Sequence, residues 1–429
     1  MSVLPESAVQ TDGRLSVGGV PLGALAVRHG TPLLVYDEAT LRARARAYRA
    51  GLRAYPGASR AAFACKAQVT VAVLRVLIEE GLGMDVASEG ELAFALAAGA
   101  PGEGLVVHGN NKSDRDIATA IAAGAGLLVV DHTAELHQIE ALAAAAGRIQ
   151  RVLVRVTPGI EADTHRKIAT GHAASKFGLP PAAAVEALAI AAGLAHVRPA
   201  GLHVHLGSQI HDVGTYLEAA EWLAGFIAEH DLGRLPVLDL GGGLAIAYTD
   251  ADRAPDVRAA VEATAAGLAG KLTARGLPLP ELILEPGRSI AGPAGVTLYT
   301  VGSIKRSGAG ITYAAVDGGM ADNPRPAMYG ARYQAFMADR AAEPATHTYA
   351  IAGKHCESGD VLIEAASLPQ LRPGDVIALA ATGAYTATMS STYNGLPRPA
   401  AVIVSDGAER TVVARETVAD LLSRERNGR

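Results

Sequence analysis

The chain of 429 residues holds only two cysteines, Cys65 and Cys356, too few for a disulfide framework or a multi-cysteine zinc site. Aromatic residues make up 4%, and most of them are tyrosine. Lysine is sparser still, seven in all, the other basic residues being arginine. No sign of charge dominates: a net charge of −5 argues against a general nucleic-acid binder. Long apolar runs are missing too. The longest, Ile117–Val130, is interrupted by Gly124 and Gly126 and falls short of the ~20 residues a membrane-spanning helix needs. The N-terminal MSVLPESAVQTDGR lacks a basic segment leading into an apolar one, so no signal peptide is expected and the chain reads as cytoplasmic, with no membrane partner. What is abundant is hydrophobic residues, at 49%, which excludes a disordered chain and suits two or three domains.

From about residue 36, short apolar runs alternate with longer alanine-rich stretches of helical spacing. The runs are Ala61–Ala64, Met84–Ala87, Leu105–His108, Leu127–Asp131, Val152–Val156, Ala200–His205, Val237–Leu240 and Leu282–Glu285. Alternating strands and helices imply right-handed crossovers and a parallel sheet. Eight such strands over ~250 residues is the count of an α/β (β/α)8 TIM barrel, with a doubly wound sheet as the rival. After Pro286 the runs Val296–Ser303, Tyr313–Asp317, Thr348–Ala352, Val376–Ala380 and Ala401–Ser405 are separated by turn signals and little helix. They predict a C-terminal antiparallel β domain, a sandwich or barrel, which takes in the N-terminal segment through Arg14–Val17 and Val20–Pro21. The expected division is a barrel over residues 36–286 and a β domain over 1–35 and 287–429.

In such a barrel, chemistry sits just beyond the C-terminal ends of the strands. The first strand runs directly into Cys65-Lys66. A lysine there is partly desolvated, which lowers its pKa and makes a better amine nucleophile, although a lysine snorkelling from a strand end reads the same way. Of the other lysines, Lys112 and Lys176 fall in polar loops, Lys167 and Lys305 adjoin arginines, Lys271 lies on a helix, and Lys354 is the competitor. The sixth strand ends His203-Val204-His205, and period-two alternation places both imidazoles on one face, as a metal-ligating pair (though no Asp or Glu lies at a helpful spacing), as ring support for an aromatic ligand or as core residues. The seventh ends in Gly241-Gly242-Gly243, which permits close approach of backbone N–H groups to an anion, or simply a tight turn. The eighth ends Glu285-Pro286-Gly287-Arg288, and an internal Glu285–Arg288 salt bridge is the plain structural alternative.

Each motif alone is ambiguous, but together they place an amine, an imidazole, an anion nest and a carboxylate–arginine pair on one rim. Pyridoxal 5'-phosphate requires that set: a lysine for its aldehyde, a nest for its phosphate, a flat support for its ring and a charge partner for the ring nitrogen. No metal is called for.

The motifs in combination resemble the diaminopimelate decarboxylase family, of the alanine-racemase-like (fold type III) pyridoxal-phosphate enzymes. They are Phe63-Ala64-Cys65-Lys66-Ala67, His108-Gly109-Asn110-Asn111-Lys112, Ser175-Lys176-Phe177-Gly178, His205-Leu206-Gly207-Ser208-Gln209, the glycine triplet and Glu285-Pro286-Gly287-Arg288. Further on come Asp322-Asn323-Pro324-Arg325-Pro326, Cys356-Glu357-Ser358-Gly359-Asp360, Gly383-Ala384-Tyr385 and Tyr393-Asn394-Gly395-Leu396-Pro397-Arg398-Pro399, so the likeness spans nearly the whole chain. The resemblance implies Lys66 as the cofactor-linking lysine and His205 stacked on the ring. It implies Ser208, Gly241, Gly242, Gly243, Glu285, Pro286, Gly287 and Arg288 around phosphate and ring, and Tyr385 touching cofactor and substrate. It also implies a homodimer whose second copy supplies Cys356 and Glu357.

For a substrate carrying a distal zwitterion, the distal carboxylate needs a fixed cation and the distal ammonium a carboxylate. Arg288 and Arg325 suit the first task, Glu357 the second, with Tyr329 as a further hydrogen-bond partner; Cys356 is the expected proton donor. Decarboxylases of ornithine, arginine, carboxynorspermidine or D-amino acids, and an amino-acid racemase, are the alternatives.

Overall fold

A computed structural model describes residues 3–160 and 175–426. Lys167 and the last three residues of the charged C-terminal tail lie outside the described residues. The chain divides into two compact units, one of residues 1–42, 247–253 and 290–429, the other of 43–246 and 254–289.

The second unit is built on a closed barrel of eight parallel strands: Ser59–Ala64, Gly83–Val86, Leu105–Val107, Leu127–Val130, Gln150–Arg155, Val197–His203, Val237–Asp239 and Glu281–Leu284. Each coincides with an expected apolar run to within a few residues. Closure is made where Leu282 pairs with Ser59 and Leu284 with Ala61. Ala62, Val106, Leu127, Val129, Leu153, Ala200, Val237 and Ile283 fill the interior, so the barrel is a packed core and not a pore. One irregularity, a register shift between Pro199 and Gly201, lies where the sixth strand pairs with the fifth. A Cβ at Gly201 would collide with the carbonyl of Val237, so only glycine lets the sixth and seventh strands approach there.

The first unit differs from expectation in detail. Its large sheet runs in the order Val361–Leu368, His347–Ala352, Thr312–Val316, Gly295–Arg306, Leu33–Asp37, Ala400–Ser405, Ala408–Val413, with Val376–Leu379 joining Gly295–Arg306 to Ala335–Met337. Pairing is mostly antiparallel, but Leu33–Asp37 with Ala400–Ser405 and Thr312–Val316 with His347–Ala352 are parallel. Leu33–Asp37 is buried throughout and pairs on both sides, so residues 36 and 37 belong to this sheet and not to the barrel. The N-terminal strands Val9–Thr11, Arg14–Val17 and Val20–Pro21 form a sheet of their own. Their Leu15, Val17 and Val20 share a hydrophobic core with Leu33, Val35, Val296, Leu298, Val402 and Val404. Among the described residues no helix is long and apolar enough to cross a membrane.

Candidate active site

Lys66 sits in a single helical turn, Cys65–Ala67, immediately after the first barrel strand. Its amine is 3.4 Å from Asp85 Oδ2, at the end of the second strand. Burial pushes the Asp85 carboxyl up, and the Lys66 charge works against that rise. Cys65 faces away: it is fully buried, its Sγ 3.8 Å from the Phe63 carbonyl oxygen, and burial pushes its thiol well up. An inert packing role follows for that cysteine.

Glu285 follows the eighth strand and is buried. Its partners are not those expected. Arg288 donates to Ser208 Oγ from Nε (3.2 Å) and Nη2 (2.9 Å), whereas Glu285 Oε1 lies 2.6 Å from His108 Nε2 and Oε2 lies 3.3 Å from His203 Nε2. Burial by itself would raise the Glu285 carboxyl, but the two imidazoles outweigh it and hold the group well below the ordinary carboxylate range. His203 is driven down to about 3 by its own burial, against the opposing pull of Glu285. Neutral at pH 7, His203 can donate Nε2–H to the carboxylate, while its buried Nδ1 has no hydrogen-bond partner among the described residues. Neighbouring Asp239 is pushed well up, by burial first and by Glu285 second.

The two histidines of the sixth strand therefore part company. The strand ends at His203, so period-two alternation stops before His205. His205 Nδ1 accepts the Gly242 N–H at 3.1 Å, which places any ring proton on Nε2, and burial drives this imidazole well below its usual pKa. A neutral, oriented ring results.

The glycine triplet is required by close approach. Gly241 has φ +64° and Gly243 φ +112°. A Cβ on Gly242 would collide with the carbonyl of Glu285, and one on Gly243 with the carbonyl of Gly207. Tyr216 OH donates to the Gly242 carbonyl at 3.1 Å from below. Pro286 accepts the Ala64 N–H at 2.8 Å, and Gly287 packs against Ala64 and Ala67, so the end of strand eight is seated on the turn that carries Lys66.

The first unit holds the other expected residues in two groups. Arg325 opens the short helix Arg325–Tyr329 and is buried, not a surface arginine. Its guanidinium lies 4.6 Å over the Tyr248 ring and 5.6 Å from that of Tyr333, and Nη1 donates to Tyr333 OH at 2.6 Å. Tyr329 ends that helix, half-buried. Tyr385 adopts φ +58°, unusual for a non-glycine residue. The second group surrounds Cys356 and Glu357. Both are exposed, so the described residues do not supply the desolvated surroundings expected for the thiol. The Cys356 N–H donates to Asn394 Oδ1 at 2.8 Å, and Tyr393 OH reaches Glu357 Oε2 at 3.4 Å. Beneath them, buried Asp360 receives the His355 N–H (2.9 Å), the His355 Nδ1 (2.7 Å) and the Met320 N–H (2.7 Å).

Sequence reasoning gave no role to Asp85, His108 or Asp239. Their signal was an ionisable residue at or just beyond the C-terminal end of an otherwise apolar strand. Lys112 is another correction: the presumed polar-loop lysine is buried, with Glu135 2.7 Å away.

No cofactor is part of the structure, and the residues test well against pyridoxal 5'-phosphate. An amine, a neutral imidazole with a fixed tautomer, a side-chain-free glycine cradle, the Ser208–Arg288 pair and a buried anionic carboxylate each meet one demand of that molecule. A closed barrel with this rim defines a pyridoxal-phosphate enzyme of the alanine-racemase-like type. Residues 38–292 match the family model described as pyridoxal-dependent decarboxylase, pyridoxal binding domain. The chain is 45% identical to a diaminopimelate decarboxylase of Corynebacterium efficiens, covering 99% of this chain and 94% of that protein. It is 43% identical to the Bacillus subtilis enzyme of that name, covering 96% and 94%. The crystal structure of diaminopimelate decarboxylase from M. jannaschii in complex with L-lysine superposes with a TM-score of 0.89 at 31% identity, over 98% of each chain. The chain belongs to the diaminopimelate decarboxylase family.

Proposed function

We propose that the chain decarboxylates meso-2,6-diaminopimelate to L-lysine and carbon dioxide, the last step of lysine synthesis, with pyridoxal 5'-phosphate as its cofactor. The observation that carries the choice of substrate is Arg325: a buried cation braced by Tyr248 and Tyr333 suits a distal carboxylate, which ornithine and lysine lack. Lys66 would hold the cofactor through its aldehyde, His205 would support the ring, Glu285 would be the charge partner of the ring nitrogen, and Ser208, the glycine triplet and Arg288 would hold the phosphate, with Pro286 and Gly287 shaping the turn. When bound, the cofactor accepts the electron pair left on the substrate's α-carbon as carbon dioxide departs. Arg325, with Tyr329 and Tyr385, orients the distal end, and Glu357 pairs with the distal ammonium. Cys356 returns a proton to the α-carbon.

The exposure of Cys356 and Glu357 in the single chain supports a homodimer in which a second copy covers them, the β unit supplying both substrate and interface residues. An exposed free thiol accords with a cytoplasmic setting.

The test is carbon dioxide release by purified protein supplied with the cofactor, across meso-diaminopimelate, ornithine, lysine and arginine. Diaminopimelate is expected to be turned over best. Faster turnover of ornithine would sink the substrate assignment, and isomerisation without carbon dioxide would make the protein a racemase.

A further inference from the structure

The motif His108-Gly109-Asn110-Asn111-Lys112 contributes no residue to the assignment above, yet it is one of the most constrained loops of the barrel unit. It follows the third strand, Leu105–Val107, and the His108 N–H bonds the Val86 carbonyl at 2.8 Å. Gly109 takes φ +140°, where a side chain would run into that of Lys112. Lys112 folds back beneath the loop. Its amine donates to the carbonyls of Gly109 (2.7 Å) and Val129 (2.7 Å) and pairs with buried Glu135 at 2.7 Å. Glu135 in turn accepts the Asp131 N–H at 2.9 Å. Buried ion pairs add little net stability compared with apolar packing, so a lysine spent there is best understood as fixing geometry.

What it fixes is His108. The imidazole is buried, 2.6 Å from Glu285 Oε1 and 3.7 Å from Asp85 Oδ1, and its ring meets that of His203 edge-on at 4.8 Å. Asp85 reaches the Lys66 amine at 3.4 Å. The charged and titratable groups around His108 are Asp85, Glu91, His203 and Glu285. A line of side chains, Lys66–Asp85–His108–Glu285–His203, each within 3.7 Å of the next, thus joins the amine assigned to the cofactor's aldehyde to the carboxylate assigned to its ring nitrogen.

We propose that His108, locked by the Lys112–Glu135 pair, is a positioning residue that orients Glu285 and couples it through Asp85 to Lys66. The aldehyde end and the nitrogen end of the bound cofactor are then set by one shared network. Loss of the imidazole changes both ends together. The inference rests on the cofactor assignment above.

The test is His108→Gln, which keeps a neutral N–H donor but loses the rigid imidazole ring and its capacity to titrate. Cofactor affinity is measured by titrating apoprotein with pyridoxal 5'-phosphate, and the visible band of the bound cofactor is followed against pH. The expected result is a fall in affinity and in kcat of roughly 10–100-fold, the range typical of lost outer-sphere support, with little change in KM. A displaced pH midpoint of the band is expected too, which loss of packing alone would not produce. A variant with wild-type affinity, pH midpoint and kcat overturns the proposal. Should His108→Gln not fold, a crystal structure of the wild-type holoenzyme decides it: His108 Nε2 within hydrogen-bond distance of Glu285 supports the role, and a ring swung away from Glu285 overturns it. If wild-type protein forms no visible band with the cofactor, the cofactor assignment fails instead, so the two failures are separable.

Discussion

Arg325 is held by a stack and a hydrogen bond, and both depend on the planar guanidinium. Arg325→Lys keeps the charge but loses the fork and the stacking. The KM for diaminopimelate is expected to rise about 10–100-fold, from loss of ~1.5–3 kcal/mol in a charge-assisted hydrogen bond, with a smaller change in kcat. Steady-state kinetics check this, and an unchanged KM would remove Arg325 from substrate recognition. His203 makes a different prediction. Its imidazole titrates at about 3 in the folded protein and at the ordinary 6.5 once unfolded, so the unfolded chain binds more protons between those values. Stability therefore falls as pH drops below 6.5, and the lowered Glu285 carboxyl adds to the loss in the same direction. Urea midpoints measured from pH 7 to 4 are expected to decline less steeply in His203→Gln. Lys66 was legible because an amine directly after an apolar strand stands out against a lysine-poor background. Asp85 and His108 were not, because their meaning lies in partners brought together from other strands by barrel closure.

The loops beyond the strand ends hold the site, and the loop after the third strand shows how tightly. Lys112→Met leaves Glu135 buried without its cation, and removing one partner of a buried pair costs on the order of 3–5 kcal/mol. A lowered thermal midpoint with reduced cofactor retention is the expected outcome; an unchanged midpoint would mean that the pair is dispensable. At this scale the sequence was most readable where strands are buried on both faces and continuously apolar, as in Leu127–Val130. It was least readable in the large sheet of the other unit. Ala408–Val413 has no buried residue and Val361–Leu368 carries exposed positions in mid-strand, so neither shows the alternation that betrays a half-buried strand. The helix Glu38–Leu52 escaped notice because arginines recur through it and mask its apolar face.

The residues assigned to cofactor and to proton return lie in different units, and the proposed dimer brings in a second copy. Lys66→Ala and Cys356→Ala are each expected to be inactive alone. Mixed and allowed to exchange subunits, they should regain up to about a quarter of wild-type activity, since half the dimers are mixed and each of those has one intact site of two. No recovery under conditions of proven exchange would place Cys356 and Lys66 of the same copy in one site. The interleaving of the units has a consequence for biosynthesis. The barrel unit is nearly contiguous and can close while the chain is still being made. Strand Leu33–Asp37 instead emerges early, and neither flanking partner, Gly295–Arg306 or Ala400–Ser405, exists until most of the chain is complete. At ~5–20 residues per second, that strand waits tens of seconds with both edges unpaired and its apolar residues uncovered, a nascent segment that a ribosome-associated chaperone would have reason to shelter.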